Sequence, residues 1–182
     1  MKILMNIMFL MMLSSYAVAG SFKLSSNNIN NGVLMSKAEE FTGFGCNGDN
    51  LSPQLSWSGQ PEGTKSFAIT VFDPDAPTGS GWWHWQIINI NSNITELPQG
   101  AGNLNKKLSP KQSMQIENDY GVQGFGGACP PKGSGPHRYQ FTVHALSVEK
   151  LNVTQGSSGA LVGYMINSHA LESATIEALY KR

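Results

Sequence analysis

The run Ser66 to Phe72 reads Ser-Phe-Ala-Ile-Thr-Val-Phe and is apolar on both faces except at Thr70. A segment this short with no polar face has to be covered from both sides, which predicts a strand at the centre of a sheet. Trp82 to Ile90 is a second aromatic and β-branched run. His137 to Leu146 is a third, with Tyr139, Phe141 and Val143 on one face. Phe22 to Ser25 alternates as a shorter first strand. Segments rich in Gly, Pro, Asn and Ser separate these runs: Gly43 to Pro53, Asp73 to Gly81, Gly100 to Pro110 and Gly121 to Pro136. Their turn chemistry makes them loops. Strands punctuated in this way predict a mainly β, antiparallel sandwich. One helix is predicted near the C-terminus, capped at Ser157-Ser158, with Leu161, Tyr164, Met165 and Ser168 at helical spacing. Beyond it Ala174, Ile176, Ala178 and Tyr180 alternate as a closing strand.

The first segment is of a different physical class. Met1 to Ala19 has one basic residue, Lys2, an apolar run broken only by Asn6, and Ala17-Val18-Ala19 at its end. That is the three-part pattern of a secretory signal. The apolar run is too short for a membrane anchor, which takes about 20 residues. The expectation is a signal over 1–19 and one domain over 20–182, periplasmic or secreted and not membrane-spanning. Export bears on Cys46 and Cys129, the only two cysteines. An even count in an oxidising compartment predicts a disulfide, with two buried thiols as the alternative. Closing so long a loop is worth roughly 4–5 kcal/mol in chain entropy. Two isolated cysteines lack the spacing of a zinc site.

Lys+Arg and Asp+Glu both number 12, and charged residues are 13% of the chain. A nucleic-acid partner is excluded, because it needs a basic excess. Any anion affinity has to come from a few placed donors. The chemistry-bearing residues sit where strands meet loops. Asp73-Pro74-Asp75-Ala76-Pro77 follows the first buried run, with two prolines that stiffen the turn. His84 lies within Trp82-Trp83-His84-Trp85; on strict alternation it shares a face with Trp82, Gln86, Ile88 and Ile90. His137-Arg138-Tyr139 opens the third run, and Gly124 to Pro131 supplies a loop of small residues and backbone N–H groups. If these loops meet, they make a small pocket suited to an anion such as a phosphate monoester. The tryptophans read as core rather than platform, and His144 and His169 as structural.

The combination resembles the phosphatidylethanolamine-binding protein family, or Raf kinase inhibitor-like proteins. Asp73 to Pro77, then Trp83-His84 and a strand to Asn89, resemble one signature of that family. Pro130-Pro131-Lys132-Gly133-x-Gly135-x-His137-Arg138-Tyr139 resembles the other. Ser80 to Trp85, Asp49-Asn50-x-Ser52-Pro53 and Gly159-Ala-x-Val162-Gly163 are similar to its bacterial YbhB/YbcL branch. The signal and the cysteine pair favour the exported type. The resemblance runs from about Phe22 to Tyr180. It implies a β-sandwich with Greek-key connections, a few short helices and an anion pocket at one end. It places Asp73, Asp75, His84, His137 and Tyr139 at pocket positions, and Gly127 at a backbone N–H donor position. A Cys46–Cys129 bridge would tie the Gly43 to Pro53 loop beside the mouth.

The expected function is a non-catalytic binding protein for a small anion or phosphorylated headgroup, with no cofactor and no metal. Modulation of an extracytoplasmic protein target and homodimerisation accompany that expectation. The alternative is a metal-dependent phosphoesterase using Asp73, Asp75, His84 and His137.

Overall fold

The computed structural model describes residues 21–182. The expected signal over 1–19 lies outside the described residues. The strands are β1 (Lys23–Ser25), β2 (Thr42–Gly43), β3 (Cys46–Asn47), β4 (Leu55–Ser58), β5 (Ser66–Asp73), β6 (Trp82–Asn91), β7 (Glu96–Leu97), β8 (Met114–Gln115), β9 (His137–Leu146) and β10 (Ala170–Tyr180). The helix is α1 (Gly159–His169), and Leu104–Lys106 makes one 3-10 turn. No helix among the described residues is long and apolar enough to cross a membrane.

The Ser66 run is central, as its lack of a polar face requires. A five-stranded antiparallel sheet has the order β10-β9-β5-β6-β8. A smaller sheet has the order β1-β4-β7, and β2 and β3 form a separate hairpin. Phe67, Ile69 and Val71 of β5 pack with Leu55, Trp57 and Leu97 of the small sheet. Ala68 turns the other way, into a second core with Ile88, Leu146, Val162 and Ile166. Each large side chain removed from water here contributes about 1.5–3 kcal/mol.

The helix forms where its cap predicts. Ser158 is the N-cap, and its hydroxyl accepts from Leu161 N–H at 3.2 Å. Its buried face is not the expected one. Gly159, Val162 and Ile166 are buried, while Leu161 and Tyr164 face solvent. Trp83 is the reason: a Cβ at Gly159 would stand 2.3 Å from its indole ring. The glycine edge must therefore turn inward.

Strand β6 departs from alternation twice. Val71 pairs with Trp85 and Phe72 with Trp83, so His84 is an extra residue. Phe67 pairs with Ile90 and Ile69 with Ile87, so Ile88 and Asn89 together oppose Ala68; Asn89 has φ 58°. Each bulge rotates the side chains beyond it. The expected shared face of His84, Gln86, Ile88 and Ile90 is thereby broken. Gln86 Nε2 donates to Gly159 O beside the helix, and Ile88 lies in the helix-side core. His84 instead faces Tyr139, with ring centroids 5.0 Å apart.

Candidate functional site

Antiparallel pairing brings three strand ends together. Asp73 closes β5 opposite Trp82, which opens β6. Phe72 pairs with Gln140 on the other side, so Asp73 adjoins the start of β9, where His137 and Tyr139 lie. A cavity of about 220 Å³ opens at this end of the sheet. Asp73, His84, His137 and Tyr139 line it, as expected from sequence. Phe44, Trp82, Tyr120 and Cys129 complete much of its wall, and no Lys or Arg takes part.

Two expected site residues stand elsewhere. Asp75 is turned onto Arg138: its carboxylate accepts from Nε at 2.9 Å, from Nη2 at 2.7 Å and from the backbone N–H at 2.9 Å. These bonds hold its carboxyl well down, to about 2. Asp75 therefore fastens the Asp73–Pro77 turn to β9 and leaves the cavity to its neighbour. Gly127 does not offer its N–H either, because that group donates to Asn50 Oδ1 at 2.7 Å. Its small size is what counts. A Cβ would stand 2.3 Å from Glu39 O. Its carbonyl accepts from Tyr120 Oη at 3.0 Å and lies 3.1 Å from His84 Nδ1.

His84 is buried, and Gly126 O lies 2.8 Å from the same Nδ1. Carbonyls only accept, so Nδ1 carries a hydrogen. Among the described residues the ring is hydrogen-bonded at Nδ1 alone. Burial pushes the ring's pKa down, against the carbonyl bonds and the charge of Asp73. His137 is held at both nitrogens: Nδ1 is 2.8 Å from Asp73 Oδ2 and Nε2 is 3.0 Å from Ser134 Oγ. Asp73 Oδ1 accepts from Asp75 N–H at 2.8 Å. Asp73, His137 and Ser134 thus have the connectivity of an acyl-transfer triad. Ser134 does not line the cavity, however, and its single proton has a second acceptor in Pro131 O at 2.9 Å. The chain fixes the ring of His137 as a wall.

Four buried side-chain polar atoms among the described residues have no partner: Trp57 Nε1, Trp82 Nε1, Gln86 Oε1 and Tyr139 Oη. Two of the four, Trp82 Nε1 and Tyr139 Oη, belong to residues that line this cavity, the second beside the Asp73 carboxylate but outside hydrogen-bond geometry. Burial and the charge of Asp73 raise the pKa of Tyr139, so it stays a phenol and a donor. Trp82 corrects the reading of the tryptophans as core. Tyr120 carried no pattern in the sequence that marked it for the site, and Asn50 stood only in the motif similar to the bacterial branch.

Cys46 and Cys129 are bonded, with Cα atoms 6.0 Å apart. The bridge ties the β2–β3 hairpin to the rim and sets Phe44, 71% exposed at the hairpin tip, against the mouth. Phe41 stacks on Tyr120 at 4.0 Å and Phe44 meets its edge at 5.3 Å. No group of three or more His, Cys, Asp or Glu among the described residues could hold a metal ion. The set named for a phosphoesterase does not converge, because Asp75 is engaged by Arg138.

Known proteins match this chain in sequence and in fold. The phosphatidylethanolamine-binding protein family matches residues 25–181. The UPF0098 protein YbcL of Escherichia coli K12 is 54% identical over 165 residues, covering 91% of this chain and 90% of that protein. YbhB of the same organism is 48% identical over 158 residues, covering 87% of this chain and 99% of its own. The crystal structure of E. coli YbcL, described as a new member of the mammalian PEBP family, superposes with a TM-score of 0.88 at 53% identity. It covers 90% of this chain and 99% of that one.

Proposed function

The chain belongs to the phosphatidylethanolamine-binding protein family, and from that premise we propose that it is an exported, non-catalytic binding protein whose cavity takes a small oxyanion. The observation that carries the reading is the pair of unpartnered donors, Trp82 Nε1 and Tyr139 Oη, on one cavity. Leaving a buried donor unpaired costs about 1–3 kcal/mol, and a ligand oxygen would recover it. The aromatic wall strengthens such bonds by excluding water. With no cation in the wall, binding is weak and depends on single groups. The disulfide supports an oxidising compartment, hence export.

Titration with inorganic phosphate, phosphoethanolamine or acetate, followed through the imidazole NMR signals, tests this reading. A saturable shift at His84 in the millimolar range is expected. No shift at that concentration with any of the three removes the oxyanion.

A further inference from the structure

The cavity has an acceptor where an anion site is expected to have a donor. His84 Nδ1 keeps its hydrogen on the carbonyls of Gly126 and Gly127, so in the neutral ring Nε2 is a bare lone pair. Asp73 adds a carboxylate to the same wall; no Lys or Arg lines it, and Arg138, whose charge reaches Asp73, is held outside it by Asp75. The titratable groups that face the ring are Asp73 from β5, His137 and Tyr139 from β9, and Asp119 and Tyr120 from the loop that wraps it. A fully ionised phosphate presents acceptors only. Trp82 and Tyr139 could meet two of its oxygens, but at His84 it would set lone pair against lone pair beside a carboxylate. One proton between a ligand oxygen and Nε2 turns that clash into a hydrogen bond and lowers the charge by one.

We propose, resting on the oxyanion reading above, that the cavity takes its oxyanion together with one proton, shared between a ligand oxygen and His84 Nε2, and so selects phosphate monoesters over phosphate diesters. A monoester can bring that proton as its own hydroxyl. A diester has none, and must place the proton on the buried ring alone. The proton balance sets the sign of the pH effect. Below the monoester's second pKa of about 6 the ligand arrives protonated and little is drawn from solvent. Above it, one proton is taken up per ligand bound, and affinity falls by about tenfold per pH unit.

Calorimetry with the purified protein tests this, using phosphoethanolamine as the monoester and glycerophosphoethanolamine as the diester. Titrations at about pH 5 and about pH 7.5, each in two buffers of different ionisation enthalpy, read affinity and proton number together. The expected result is uptake near one proton at the higher pH and well below one at the lower. The diester should bind at least about tenfold more weakly at the lower pH. His84→Gln, which places a non-titrating amide there, should lose the uptake. Monoester affinity that is flat or rises with pH, uptake that survives His84→Gln, or a diester bound as tightly as the monoester each overturns the proposal. If neither ester binds at either pH, the oxyanion reading itself falls and takes this one with it.

Discussion

Strand β6 is bulged at both ends, and the two ends have different fates. At Asn89 the extra residue adopts φ 58°, and its Oδ1 accepts the N–H of Leu151 at 2.9 Å. At His84 the extra residue is buried with one ring nitrogen fixed and the other without a partner among the described residues. The first bulge closes its polar account within the fold, while the second leaves an acceptor and two donors for something else. A bulge alone therefore does not mark a site; unpaired groups around it do. His144 makes the same point within one residue type. Its Nε2 lies 3.1 Å from Thr70 Oγ1, and burial pushes its pKa down to about 4. Both imidazoles are pushed towards the neutral form, but only His84 opens onto a cavity.

The contrast can be broken most forcefully at the rim. Replacing Cys46 and Cys129 together by Ser removes the tie between the hairpin and the cavity loop. Thermal or denaturant unfolding should show a loss of about 2–5 kcal/mol, and ligand affinity should fall as Phe44 leaves the mouth. An unchanged unfolding midpoint would show that the bridge holds nothing. The two bulges themselves predict opposite outcomes. Asn89→Ala leaves Leu151 N–H unpaired and should cost about 1–3 kcal/mol of stability, with phosphate binding intact. His84→Ala should weaken phosphate binding by more than about tenfold at a smaller cost in stability. Equal effects of the two on binding would erase the distinction. Trp82→Phe removes one donor and keeps the wall. A drop of about two- to tenfold in affinity is expected, matching one hydrogen bond of about 0.5–1.5 kcal/mol.

The smallest effect is the acid response of Asp75. Its carboxyl is held at about 2 in the fold against an ordinary 3.8. The stability it gives is complete above about pH 4 and is lost as pH falls towards about 2. Solvent screening keeps the loss slight, since the pair with Arg138 is partly exposed. Acid unfolding curves of the protein and of Asp75→Asn should differ only in that window, and phosphate affinity should be the same for both.

Much of this was legible in the residue order. The all-apolar run from Ser66 to Phe72 could only be central, and His137 to Leu146 is the observed extent of β9. The cysteine pair follows from an even count in an exported chain, and the family resemblance implied Asp73, His84, His137 and Tyr139 as wall residues. What stayed hidden depends on register and on particular hydrogen bonds. Alternation cannot show that His84 is an extra residue, because that is a property of its pairing with Val71 and Phe72. The inward edge of α1 was missed because two small residues, Gly159 and Gly163, accommodate Trp83. Asp75 and Gly127 look like ligands in a linear motif, yet Arg138 and Asn50 have already engaged them. Two-residue strands such as β7 and β8 have too few positions to show a period.

Two tryptophans give the most direct test of the claim that unpaired groups at this end await a ligand. Trp57 Nε1 and Trp82 Nε1 are both buried without a partner, but Trp57 lies in the core and Trp82 on the cavity. Their indole N–H resonances, assigned through Trp57→Phe and Trp82→Phe, can be followed during titration with phosphoethanolamine at about pH 6. The account predicts a saturable downfield shift of the Trp82 signal while Trp57 stays still. A Trp82 signal that does not move while ligand binds, or that moves no more than Trp57, would contradict it.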